Sequence, residues 1–182
     1  MKAAWYTHNG EAQDVMVVGE LPTPSPQAGE VLVRLATSGV NPSDVKSRRA
    51  RPVTDPLIVP HSDGAGVIEA VGAGVSASRV GERVWLWNGQ WQRALGTCAQ
   101  YIALPETQAV ALPATTDFAA GACMGIPGLT ADKVSIVLVS GQVSKAMPPR
   151  PPVARAAAST SRHRPAPSTP APTWCAPTRR TP

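Results

Sequence analysis

With 182 residues and 43% apolar composition, the chain has the material for one domain of about 130 residues plus an appendage. Its formal charge of +5 is unevenly placed: the stretch before Met147 holds all 12 acidic residues and 11 of the 17 lysines and arginines, a net of −1, and the remainder carries +6. A basic balance confined to a proline-rich end is not a nucleic-acid footprint on a folded surface, and no nucleic-acid or membrane partner is expected.

Six strands are predicted in chain order, at 1–6, 15–21, 31–37, 64–71, 82–87 and 99–104, separated by proline or glycine clusters such as Pro22-Thr23-Pro24-Ser25-Pro26. Two helices are expected among them. One starts at Asn41 as N-cap with Pro42 at the first helical position and Asp44 in the first turn; the other starts near Thr116 or Asp117 and runs through Ala119, Ala120 and Met124. The start of the chain lacks the apolar core of a secretory signal, and Ile136-Val137-Leu138-Val139 is far short of the ~20 residues of a membrane span. Cys98, Cys123 and Cys175, odd in number and widely spaced, suit reduced thiols. The expectation is a soluble, cytoplasmic, mainly β protein.

The densest signal is Pro60 to Val84, PHSDGAGVIEAVGAGVSASRVGERV. Gly64 and Gly66 flank Ala65 at the head of an apolar run, reading as a strand entered where backbones crowd together, and Gly72 and Gly74 supply turn residues before a second strand opens at Val80-Gly81-Glu82-Arg83-Val84. No helical pattern follows these glycines, so they are not a phosphate loop. Upstream lies Ser38-Gly39-Val40-Asn41-Pro42-Ser43-Asp44; downstream come Gly96-Thr97-Cys98-Ala99-Gln100-Tyr101 and Gly125-Ile126-Pro127-Gly128-Leu129-Thr130-Ala131. This set resembles the GroES-like catalytic domain of the medium-chain dehydrogenase/reductase family, close to its zinc-less quinone oxidoreductase branch. The resemblance covers residues 1–131 and implies a partly open β-barrel with short helices. It also implies hydride transfer from NADPH to a quinone or an α,β-unsaturated carbonyl in the intact family.

Zinc-dependent members of that family place a cysteine in a Cys-Gly-x-Cys-x-x-Asp stretch and a histidine in Gly-His-Glu. At the matching places this chain has Asn41, Ser62 and Asp63, and neither an amide nor a hydroxyl replaces a thiolate or an imidazole. The cysteine-rich lobe for structural zinc has no counterpart, because residues 88–97 contain no cysteine. No metal site is expected, and His61 beside Asp63 reads as a solvated or hydrogen-bonded corner. Without zinc, a carbonyl is polarised by hydrogen bonds and positioning. The resemblance makes Asn41 and Asp44 the catalytic candidates, and Asn41 and Thr130 the residues beside the cofactor. The same Asn-Pro-Ser-Asp is also what a capped helix start looks like; both readings stand for Asn41, and capping takes precedence for Asp44. Trp85, Trp87, Trp91 and Tyr101 either pack a strand face or wall a pocket for a flat substrate.

In the family, the chain continues into a Rossmann domain. Here Val134 to Gly141 reads as its first strand, but Gly141 is the last glycine, so no glycine-rich dinucleotide turn can follow it. Residues 132–146 are therefore expected to be a linker and strand remnant, and 147–182, with ten prolines, six arginines, no acid and no glycine, a disordered tail. From this follow three expectations: NADPH does not bind tightly to this chain alone, the chain is inactive by itself, and an uncovered apolar face around residues 122–129 and 134–139 promotes self-association. Two other readings remain open. One is a non-catalytic GroES-like binding module; the other is an interaction protein acting through the basic tail, whose PxxP elements at Pro148 to Pro152 suit an aromatic groove.

Overall fold

The computed structural model describes residues 1–132; the expectations for 133–182, including the strand remnant and the tail, lie outside the described residues. The chain opens with β1 (Lys2–Trp5), a single helical turn α1 (Ala12–Val15) and β2 (Val17–Glu20). It continues through β3 (Glu30–Gly39), α2 (Pro42–Ala50), β4 (Asp63–Val71), β5 (Arg83–Leu86), β6 (Tyr101–Pro105), β7 (Ala109–Ala111) and α3 (Phe118–Gly121). β1 and β2 form an antiparallel pair; the other five make an antiparallel sheet in the order β6-β3-β4-β5-β7. The sheet does not close on itself: β6 and β7 occupy its two ends although only one 3₁₀ turn, Glu106–Gln108, separates them in sequence.

All six expected strands form, each within two residues of its expected start. Alternation decides which side chains go inward: Val31 and Val33, Val84 and Leu86, and Ile102 and Leu104 are each two residues apart, and with Ile68 they build one core. Trp85 falls on the other face of β5, and Trp87 follows the strand's end. Trp85 packs with Ala65, Leu112 and Ala122, and the Trp87 indole donates to Thr107 O at 3.3 Å. Trp91 is 54% exposed.

Three elements differ from the sequence reading. Val15 ends α1 rather than starting β2, because the turn buries it against Tyr6 and Ile58 in a second small core. β7 was not anticipated; three residues are too few for a periodicity to show, and pairing with β5 creates the strand. The second helix is broken: α3 stops at Gly121, and the chain resumes in a π-type turn, Met124–Gly128, interrupted at Gly125 (φ −66°, ψ −106°) and holding Pro127.

Two glycines fix the sheet's closest approaches. A Cβ at Gly66 would sit on the Arg34 carbonyl oxygen, and one at Gly72 on the Gln27 carbonyl oxygen. The first lies where the β3–β4 register slips, between Leu35↔Gly66 and Thr37↔Ala65. That bulge carries the far end of β3, from Ser38, alongside the head of β4 at Gly64 and Asp63, which is where the polar site is assembled.

Candidate functional site

Asn41 leaves β3 in an extended conformation (φ −119°, ψ 157°), and Pro42, lacking an N–H, starts α2 at no cost in hydrogen bonds. The Asp44 carboxylate reaches back to accept from the Asn41 backbone N–H at 2.7 Å, and the Asp44 N–H donates to Asn41 O at 3.0 Å. Asp44 is thus placed as a capping side chain. Asn41 has a further engagement: its side-chain amide donates to Asp63 Oδ2 at 2.8 Å. Asn41 is 5% exposed and Asp63 fully buried.

Asp63, at the head of β4, ties three segments together. Beyond the Asn41 amide, its carboxylate accepts from the Ile126 backbone N–H, 3.0 Å from Oδ1 and 2.9 Å from Oδ2. This explains the break in the second helix: a Cβ on Gly125 would strike Asp63 Oδ1, so only glycine lets that backbone come down onto the carboxylate. Burial pushes the Asp63 pKa up, opposed by the two hydrogen bonds and reinforced by the nearby Asp44 charge. Burial also raises Asp44, against the Asn41 N–H.

A second chain of hydrogen bonds runs beside the first. Ser38 Oγ lies 2.9 Å from both His61 Nδ1 and Thr97 Oγ1, and Thr97 Oγ1 donates to Asp63 O at 2.6 Å. The carbonyl can only accept, so the Thr97 proton is committed to it. The Ser38 hydroxyl must then donate to Thr97, and His61 Nδ1 must carry the proton given to Ser38. The histidine is fixed as the Nδ1–H tautomer with Nε2 as its lone-pair nitrogen, and burial holds its pKa down to about 4. It stands in the left-handed region at φ 75°, at the place the family fills with the glycine of Gly-His-Glu. The expected hydrogen-bonded corner at His61 is half-buried and bonded to Ser38, and the sequence does not mark Ser38 or Thr97 as its partners. Their signal is tertiary, since 59 residues separate the two hydroxyls.

Thr130 is exposed, and its hydroxyl donates to Ile126 O at 2.6 Å. Asn41, Asp44 and Thr130 are therefore linked, the first two directly and the third through Ile126 and Asp63. The tryptophans are not part of this cluster. Among the described residues no group of three or more His, Cys, Asp and Glu side chains converges as a metal site would require. An amide and a carboxylate already bonded to one another form a rigid pair of neutral donor and buried acid, suited to positioning and hydrogen-bond donation.

Residues 27–114 match the alcohol dehydrogenase GroES-like domain. Among curated proteins the chain is 33% identical over 133 residues to the quinone oxidoreductase of Rattus norvegicus, an alignment covering 72% of this chain and 39% of that protein. Among solved structures, a Rhizobium etli CFN 42 protein provisionally described as a zinc-dependent alcohol dehydrogenase superposes with a TM-score of 0.69 at 31% identity, covering 80% of this chain and 43% of the other. A mycobacterial protein solved in complex with NADPH gives a TM-score of 0.64 at 26% identity, over 80% and 41%. The chain thus spans about two-fifths of the length of the relatives it matches. On the matched domain, the open antiparallel sheet and the quinone oxidoreductase relatives, residues 27–114 are an alcohol dehydrogenase GroES-like domain, and the chain is similar to the N-terminal part of medium-chain dehydrogenase/reductases.

Proposed function

We propose that residues 1–132 are the substrate-side domain of an NADPH-dependent, zinc-independent reductase of quinones or enones, and that this chain alone does not turn over. The single observation that carries the reading is the buried bond from the Asn41 amide to Asp63, which holds a neutral donor rigid at the start of α2. NADPH, when bound, supplies the hydride. Asn41 orients the carbonyl with its amide, Asp63 fixes that amide, Asp44 fixes the Asn41 backbone, and Thr130 braces the turn bearing Ile126. The likeness to the rat quinone oxidoreductase supports the substrate class, and the mycobacterial complex supports the cofactor. The chemistry of the donor set supports zinc independence: Asn41 and Ser62 replace cysteine and histidine.

The test has two readouts on the full chain. Titration with benzoquinone should shift the backbone amide signals of Asn41, Asp63 and Ile126 in a saturable way, and Asn41→Ala should abolish the shift. NADPH oxidation in the presence of benzoquinone should stay at background. Saturating quinone that leaves those three amides unmoved would favour a GroES-like module binding something else. Turnover matching a full-length reductase would overturn the inactive reading.

A further inference from the structure

A cavity of about 210 Å³ lies at the other end of α2, walled by the helix's last turn, the segment after it and the loop between β5 and β6. None of Asn41, Asp44, Asp63 or Thr130 lines it. Its polar wall is unusual in what it leaves unbonded. Tyr6 lines the cavity and is 4% exposed. Arg93 donates through Nη2 to Gln108 Oε1 at 2.8 Å, while its Nη1 is buried without a partner. Arg51 makes no ion pair or side-chain hydrogen bond among the described residues. The lone carboxylate of the wall, Asp55, accepts from the Thr54 hydroxyl at 3.3 Å, leaving two guanidinium groups against one acid. Val53 and Ile58 supply an apolar side.

We propose that this cavity binds a small organic acid, with its carboxylate held by Arg51, Arg93 and the Tyr6 hydroxyl and its apolar body against Val53 and Ile58. A planar guanidinium matches a carboxylate in two-point geometry, and a phenol hydroxyl donates well to an anionic acceptor. The size of the cavity suits a single-ring acid rather than a nucleotide. A bare inorganic anion would leave the apolar side unused.

The experiment is titration of the isotopically labelled full chain with sodium benzoate at constant ionic strength, followed through the Trp91 indole and Gln92 amide signals, with benzamide and inorganic phosphate as parallel arms. Benzoate should give saturable shifts. Arg51→Gln and Arg93→Gln should each weaken it at least about tenfold, as loss of a charged hydrogen bond does, and Tyr6→Phe about fivefold. Arg51 is exposed and unpaired, so its variant should keep the wild-type spectrum whatever becomes of Arg93→Gln. Benzamide or phosphate binding as tightly as benzoate, or an Arg51→Gln chain with undiminished benzoate affinity, would overturn the proposal.

Discussion

Asn41 shows how one side chain is drawn between two duties. Its backbone belongs to the helix cap and its amide to Asp63, so removing the amide leaves a buried carboxylate with one fewer donor. Asn41→Ala should lower stability by about 2 kcal/mol, seen as an earlier urea midpoint; Asp44→Ala, which removes only the capping carboxylate, should cost about 1 kcal/mol. His61 gives a pH signature of opposite sign to the acids. Its folded pKa is held near 4 against 6.5 in an unfolded chain, so its contribution is complete above pH 6.5 and is lost as the pH falls toward 4. Asp44 and Asp63 have raised values, so their contribution is present below the unfolded carboxylate pKa and lost as the pH rises through the folded one. His61→Gly suits the left-handed backbone and removes the imidazole. Between pH 6.5 and 4 its stability relative to wild type should therefore improve by up to about 3 kcal/mol, measured by denaturation at fixed pH values.

At the level of elements, the glycines of β4 and its following turn divide into two kinds that the sequence alone does not distinguish. Gly66 and Gly72 lack room for a side chain because a neighbouring carbonyl oxygen occupies the space, whereas Gly74 has open space and a φ of +86°. Gly66→Ala and Gly72→Ala should each cost on the order of 3 kcal/mol or prevent folding by forcing β3 and β4 apart. Gly74→Ala should cost about 1 kcal/mol, the price of a left-handed alanine. Equal losses at all three positions, read from urea midpoints, would show that the carbonyl contacts do not govern the sheet. Gly125 joins the first kind through the Asp63 carboxylate, and Gly125→Ala should also extinguish the quinone-induced shift at Ile126.

For the whole molecule, the donor set at Asn41, Ser62 and Asp63 leads to an expected zinc content well below one per chain after dialysis; stoichiometric zinc by elemental analysis would contradict the proposed mechanism. The described face near the site leaves Val40, Met124 and Leu129 at 67, 46 and 44% exposure. If self-association uses this face, as we propose, Met124→Lys with Leu129→Lys should lower the concentration-dependent apparent mass in analytical ultracentrifugation, and an unchanged mass would place the contact elsewhere.

The sequence by itself determined six of the seven strands, the helix start at Asn41-Pro42 and the family resemblance, because alternation, capping and glycine spacing are local patterns that survive without contacts. It also placed Asn41 and Ser62 where zinc-dependent relatives have cysteine and histidine, on which the proposed zinc independence rests. Only the tertiary structure decided where the Asn41 amide goes, since Asp63 lies 22 residues away and is brought alongside by a register slip in β3 and β4. The direction of the His61–Ser38–Thr97 hydrogen bonds, the break at Gly125 and the unpartnered Arg93 Nη1 are of the same kind. Each depends on which groups meet after distant strands pair, and polar side chains carry no periodicity that announces their partners.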